Sequence, residues 1–287
     1  MSERLEADRA SPLLVYLRKR LRGWSANTIR DRLRRRCVRV NGDVVTRGDH
    51  GLQVGDAIEV GDRAFEEGRS GAAFTILHED DDLVAIDKAA GLLSVSTDRQ
   101  RRRTALALVR EALARGGRAP RLWPAHRLDR ETSGVLLFAR SREVRDELQA
   151  RWGEARKIYL AIVDGHPKPE GGVIDLPLWE DKALNVRVGG RAGARDARTR
   201  FRTLKRGRRR ALLEVELLTG RRHQIRSHLS AVGHPIIGDR RYGGAGPRLG
   251  LHALSLTVPH PADGEPIEFE AKPPRAFNEL LSGTRAP

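Results

Sequence analysis

Apolar residues recur along the chain with two periods, and the places where the period changes mark its elements. Leu13, Leu14, Leu17 and Leu21 follow helical spacing behind Pro12, which can open a helix because its missing N–H would have no partner there. Ser25 is placed to cap a second helix. In it Ile29, Leu33 and Cys37 fall four apart on one side, with Arg32, Arg35, Arg36 and Arg39 as an adjacent basic stripe. Val38 and Val40 alternate into Asn41-Gly42, a tight-turn pair, and Gly55-Asp56 turns the chain again before Ile58 and Val60. Two short helices and a small β unit over residues 1–62 predict a compact satellite. Over residues 63–73 the periodicity lapses and Gly and Ser enter, as in a linker.

From Phe74 onward a larger unit begins. Ile76-Leu77 and Leu83–Ile86 predict strands around the acidic turn 79–82, and Thr104–Ala114 is helix-like. Val135–Ala139 is a continuous apolar run of buried-strand length. Ser141 is placed to cap a helix carrying Val144, Leu148 and Trp152 at i, i+4 and i+8. Residues 157–163 and 212–218 alternate as strands, whereas 189–210, rich in Gly, Ala and Arg, is expected to be a basic loop between strands. A helix follows Gly220, with Ile225, Leu229 and Val232 on one face, closed by Gly233 and Pro235. Strands outnumber helices and follow one another like hairpins, so residues 74–287 are expected to form an α+β domain with a mixed, mainly antiparallel sheet. The satellite before it is a small α/β domain.

Charge narrows the partners. The 287 residues hold 54 Lys and Arg against 38 Asp and Glu, a net charge of +16, which favours polyanions. Only seven of the basic residues are Lys, so part of the excess is an arginine bias of composition. The arginines nevertheless cluster: residues 11–40 hold ten basic residues and one acid, 99–130 ten and two, 187–226 fourteen and three. Nucleic acid is the expected partner. One cysteine, Cys37, excludes an intrachain disulfide framework and any multi-cysteine zinc site. No apolar run reaches the roughly 18–20 residues of a membrane span, and the N-terminus lacks the apolar core of a secretory signal. A cytoplasmic protein without membrane partner is expected, acting as a monomer.

Three segments could carry chemistry. His126–Gly134, HRLDRETSG, is dense in polar groups and runs straight into the buried run 135–139, a junction that can hold Asp129 rigidly at the rim of a core. Positive charge nearby, as from Arg127 and Arg130, would keep that carboxylate ionised. Such a group suits a nucleophile or electrostatic stabiliser, and equally an Asp that fixes a turn. In Thr219–His228, TGRRHQIRSH, Arg222 and Arg226 are one helical turn apart and are expected to face one cleft beside a helix N-terminus. His223 and His228 diverge by about 140° on a helix, so no metal site is expected there. Lys157 and Tyr159 should share a strand face, where the ring could stack on a nucleobase. No phosphate-binding glycine loop, metal cluster or dinucleotide fingerprint is present in the sequence, and no cofactor is expected.

Taken together these segments resemble the RluA-type family of pseudouridine synthases. Its H-R-L-D-x-x-T-S-G stands complete at His126–Gly134, its K-x-Y at Lys157–Tyr159, its G-R-x-H-Q-I-R at Gly220–Arg226 and its G-H-P-I-x-G-D at Gly233–Asp239. The resemblance implies an RNA uridine isomerase that uses no cofactor. Asp129 would be the catalytic aspartate, Tyr159 the aromatic residue against the target uracil, and Arg226 the partner of the aspartate. Arg127 would hold RNA after the base is flipped out. Residues 12–60, with Val38-Arg39-Val40-Asn41-Gly42 and Gly55-Asp56, resemble the S-four-like RNA-binding module, which implies RNA contacts by Arg32, Arg35, Arg36 and Arg39. Ribosomal RNA is the expected substrate, transfer RNA the second. Two departures stand out: Asp87-Lys88-Ala89-Ala90-Gly91 replaces the family's N-K-P-x-G, and Arg222, a candidate RNA contact, replaces a small hydroxyl residue. A non-catalytic RNA-binding protein, a glycoside hydrolase and a duplex-DNA binder are the rival readings; the hydrolase lacks a marked second acid, since only Glu131 is near.

Overall fold

The computed structural model describes residues 3–21, 23–40, 43–52, 54–62, 73–95, 104–114, 118–181 and 185–282. The chain divides into two compact units, Met1–Ala72 and Ala73–Ala286. The expected linker over 63–73 and the turn Asn41-Gly42 lie outside the described residues, save Ala73.

In the first unit the helices Leu13–Arg20 and Ala26–Arg34 pack on an antiparallel sheet of order Glu3–Glu6, Ala57–Val60, Val38–Val40, Asp43–Val44. Leu13, Tyr16, Leu17, Ile29, Leu33, Val38, Ile58 and Val60 form its core, and the Ser25 hydroxyl accepts the Thr28 N–H at 3.0 Å as an N-cap. The basic stripe is corrected here. The helix stops at Arg34, and Arg36 takes a left-handed backbone (φ 62°). Arg35 and Arg36 therefore lie in the turn and Arg39 on a strand, rather than beside Arg32 on one helix face. Cys37, past the helix end, is still buried.

The second unit is built on a ten-stranded sheet. Its main path runs Gly171–Asp175, Arg198–Arg206, Arg210–Leu217, Arg156–Asp164, Leu251–Pro259, Ser133–Ala139, Leu83–Lys88, Phe74–Glu79, with Pro266–Glu270 and Trp123–Pro124 added alongside. Every pair is antiparallel except one, the seam between 133–139 and 251–259. Helices Gln224–Ala231 and Arg275–Ser282 cover strand 156–164 from its two sides, the first through Ile225 and Leu229 against Ala161 and Val163, the second through Phe277 and Leu280 against Leu160 and Ile162. Strand 133–139 is buried at every residue, and its run 135–139 can be apolar throughout for the same reason: helix Arg142–Ala150 and helix Ala105–Ala112 contribute to clusters on alternate residues. Val232, expected on the buried face of 224–231, is its exposed C-cap.

The segment 189–210 is not one loop. Residues 198–206 form a nine-residue strand in which Thr199 is buried while Arg200 and Arg202 reach across to Glu216 and Glu214, at 2.6 Å each. Strand alternation was hidden by its arginine content, since its outward face is almost entirely basic.

Candidate active site

The seam requires a glycine. Gly134 pairs with Ala253 at φ 110°, and a Cβ there would stand 2.1 Å from the Ala253 carbonyl oxygen. Ser133, beside it, shares a 2.9 Å hydrogen bond with His252 Nδ1, and His252 Nε2 donates to the Ala271 carbonyl at 2.8 Å. The end of the HRLDRETSG run is thereby locked to a strand from the far end of the chain.

The loop before it is held on both sides of Asp129. The Leu137 N–H donates to His126 Nε2 at 3.1 Å. The Ser94 hydroxyl donates to the Leu128 carbonyl (2.8 Å) and accepts the Leu128 N–H (3.0 Å), while Leu128 is itself buried. On the other side the Arg130 carbonyl accepts from the Gly91 N–H (2.8 Å) and from Lys88 Nζ (3.2 Å). Lys88 is fully buried and also donates to the carbonyls of Ala89 and Leu92, at 3.0 and 2.9 Å. Burial lowers its pKa to about 8, against the opposing pull of Glu131, Asp129 and Asp87. The Asp129 carboxylate, 30% exposed, projects from this staple.

Its partner is Arg226, whose Nη1 donates to Asp129 Oδ2 at 2.7 Å. The guanidinium is forked on its other edge by Asp239, which accepts from Nε at 2.7 Å and Nη2 at 2.8 Å. Asp239 has no side-chain exposure, and Arg226 13%. Burial alone would lower the Arg226 pKa; hydrogen bonds and charges of Asp239 and Asp129 more than offset it, so the guanidinium is held above its ordinary range. Asp239 arrives on a turn that only glycine can make at Gly238, where φ is 75° and a Cβ would lie 1.8 Å from the Arg248 carbonyl oxygen.

His223 completes the group. It is the left-handed N-cap of helix 224–231 (φ 52°), with Nε2 3.7 Å from Asp129 Oδ1 and Nδ1 2.9 Å from the Tyr242 hydroxyl. Burial lowers its pKa, the Asp129 carboxylate opposes that, and Arg226, Arg222 and Arg241 add to it. In the neutral ring Nε2–H faces the carboxylate and Nδ1 accepts from Tyr242. Tyr242 in turn lies under Arg226, whose guanidinium carbon is 5.2 Å from the ring centroid.

Tyr159 pairs with Ala253, which pairs with Gly134, so the three form one row across the seam. Burial, with the charge of Asp129 added, pushes its phenol well above the ordinary range, which keeps the hydroxyl protonated. Lys157 does not share its surroundings. A register shift against strand 251–259 falls between Ile158 and Tyr159, and Lys157 Nζ stands 5.7 Å from the Trp152 ring centroid, in another cluster.

The remaining expected residues are dispersed. Arg127 is exposed, two residues from Asp129. Arg222 precedes the helix rather than sitting a turn below Arg226 on it, because His223 breaks the helical path; it pairs with Glu180 at 3.1 Å and does not join the Asp129 cleft. Arg130 contributes its carbonyl, and the charge beside Asp129 comes from Arg226. In the first unit Arg32 donates to the Gly61 carbonyl at 2.8 Å and lies 5.4 Å from the Trp24 ring centroid; Arg35 pairs with Asp31 at 2.8 Å; Arg36 is exposed and Arg39 half-buried. His228, expected to be partly buried, is wholly so, between Thr199 and the Leu176 carbonyl. Asp239, Lys88 and Ser94 carry the geometry of the site without a role having been visible for them. Their signals were a carboxylate ending G-H-P-I-I-G-D, a lysine ending an apolar strand and a serine between apolar runs. Among the described residues no group of three or more His, Cys, Asp or Glu is arranged to hold a metal ion, and no helix is long and apolar enough to cross a membrane.

A carboxylate fixed in a cleft, beside a half-buried tyrosine and at the seam of a mixed sheet, is the arrangement of an enzyme's active site. Comparison with known proteins gives the class its name. Residues 82–231 match the RNA pseudouridylate synthase family. The chain is 31% identical over 300 residues to ribosomal large subunit pseudouridine synthase D of Nitrosomonas europaea, covering 98% of this chain and 84% of that one. It is 38% identical over 212 residues to the dual-specificity RNA pseudouridine synthase RluA of Haemophilus influenzae, covering 69% and 92%. Human RNA pseudouridylate synthase domain containing 4 shares the fold with a TM-score of 0.60 at 28% identity, over 72% of this chain and 91% of that structure. The chain belongs to the RluA-type pseudouridine synthases, and the protein is an RNA uridine isomerase.

Proposed function

We propose that the enzyme isomerises particular uridines of structured RNA, ribosomal RNA first and transfer RNA second, with Asp129 as its essential group and no cofactor. The observation that carries this reading is the carboxylate itself: it is stapled at Leu128 and Arg130, aimed by the Asp239–Arg226 fork and open to a substrate. The names of the relatives support ribosomal RNA, and the basic surface supports a polyanion.

The reaction breaks the N1 glycosidic bond, turns the base and rejoins it through C5, so nothing is exchanged with a cofactor. The target base first leaves its stack, at a cost of a few kcal/mol. Tyr159, protonated and rigid in the seam row, supplies a ring for the uracil to rest on. Arg226 holds Asp129 oriented in the cleft, so that its charge is preorganised before the substrate arrives. Arg127, exposed beside the carboxylate, holds the RNA once the base has moved. In the first unit, the S-four-like module, the arginines Arg35 and Arg36 at the turn, with Arg32 and Arg39, add sequence-independent attraction.

Tritium release from RNA labelled at uracil C5 tests the reading. Wild type releases label and Asp129→Asn does not; equal release from both would sink the role of the carboxylate. Pseudouridine maps of ribosomal and transfer RNA, with and without the gene, identify the positions.

A further inference from the structure

A second cavity lies beside the catalytic group and takes no part in it. The hairpin of strands Leu178–Glu180 and Val186–Val188 walls a space of about 400 Å³ with Arg195 and the turn Gly220–Arg222. This is within the roughly 300–1,000 Å³ of pockets that hold small organic groups. Its lining combines an indole, Trp179, with three arginines, Arg195, Arg221 and Arg222, and one acid, Glu180. The Trp179 ring already has a planar cation on it: the Arg191 guanidinium carbon is 4.5 Å from the ring centroid. Arg222 and Glu180 are paired at 3.1 Å, so guanidinium donors and carboxylate acceptors stand side by side on the wall.

We propose that this cavity binds one unpaired nucleotide of the RNA, next to the uridine presented to Asp129, with its base stacked on Trp179. The inference rests on RNA being the substrate. The base edge meets the Arg222–Glu180 pair, which offers donors and acceptors together, and the phosphate is held by Arg195 and Arg221. The chemistry selects this ligand over simpler ones. An inorganic anion would leave the indole without purpose and would meet Glu180, and an apolar ligand would face three guanidinium groups. A nucleotide uses the ring, the cations and the acceptor at once. Its neighbourhood selects the substrate strand: Arg222 adjoins His223, whose Nε2 is 3.7 Å from Asp129. Arg222 is also where this chain departs from the family's small hydroxyl residue, so the site is partly its own.

The test uses the full-length Asp129→Asn protein, which binds without reacting, and fluorescein-labelled decamers of oligouridylate and oligoadenylate as probes. Trp179→Ala should weaken both by about tenfold, as expected for loss of one stacked base. Trp179→Phe should stay within about threefold of the parent, and Arg200→Ser, a cation outside the cavity, should do the same. Oligonucleotide should quench the parent's tryptophan emission more than that of Trp179→Phe; this comparison decides the matter if Trp179→Ala does not fold. Unchanged affinity in Trp179→Ala, or equal quenching in parent and Trp179→Phe, overturns the proposal. Tritium release by protein with Asp129 intact is scored separately. Its absence sinks the isomerase reading while the stacking result stands, and its presence with unaltered oligonucleotide binding sinks the cavity alone.

Discussion

Two arginine–aspartate pairs, one in each unit, are almost equal in length and opposite in meaning. Arg35 meets Asp31 at 2.8 Å with side chains 73% and 39% exposed; Arg226 meets Asp129 at 2.7 Å with 13% and 30%, backed by the fully buried Asp239. Distance does not separate them. The first pair trades water for a partner of similar strength and gains little. The second is held where lost hydration must be replaced by fixed partners, so removing either one leaves a stranded charge. Basic clusters in this chain thus mix solvent-facing attraction for RNA with a few arginines that are structural in the strictest sense.

The largest effect should come from the buried end of this comparison. Asp239→Asn leaves the Arg226 charge half-partnered and should cost about 3–5 kcal/mol in unfolding free energy. Freed from its fork, Arg226 no longer aims Asp129, and tritium release should drop by about 10²-fold. Stability and release close to wild type would show that Asp239 is not the anchor.

A second effect separates the units by pH. The catalytic unit packs the half-buried His126 among apolar groups, and desolvation, helped by the charge of Lys157, lowers its pKa to about 4. Unfolded, it titrates near 6.5. Its contribution is therefore complete above about 6.5 and lost as pH falls through about 4, because the unfolded chain takes up the proton first. Protonation also removes the Nε2 acceptor of the Leu137 N–H, three residues from Asp129. The first unit has a single histidine, the exposed His50. Thermal melts of the full chain should fall between pH 7 and pH 4.5, and His126→Gln should flatten the slope. A melt insensitive to pH in wild type would contradict the account.

The smallest effect belongs to the exposed pair. Arg35→Ser should change stability by no more than about 0.5 kcal/mol. The slope of log affinity for RNA against log salt should become shallower by about 0.7–0.9, the share of one phosphate contact. A loss of stability rivalling that of Asp239→Asn would erase the contrast between the two pairs.

Local elements were the most legible, because caps and apolar periods act over a few residues. Ser25, Thr104 and Ser141 cap the helices that follow them, through the N–H groups of Thr28, Ala107 and Val144. The strand ahead of Leu13 was not legible: Glu3–Glu6 is mostly charged and is a strand because it pairs with Ala57–Val60. Asp129 and its arginine stood out through the motif resemblance, whereas the parts that fix them did not. Lys88 and Asp239 act across distances that no local pattern encodes, and His223 moves Arg222 away from Arg226 by one left-handed residue. Departure from the family proline at Ala89 acquires a physical meaning only in three dimensions. The Ala89 N–H donates to the Ala73 carbonyl at 3.0 Å, a bond a proline could not make.

The parallel seam has a consequence for the order in which the molecule comes into being. Ser133 bonds to a histidine 119 residues further along, and Asp129 to an arginine 97 residues on. A chain growing on the ribosome carries the whole HRLDRETSG segment long before anything exists to seat it. Domains gather as synthesis proceeds, N-terminal first, so the first unit is finished early and the isomerising one late. The half-made chain carries its first unit complete and its catalytic sheet open, and the seam closes only once Ala253 has emerged.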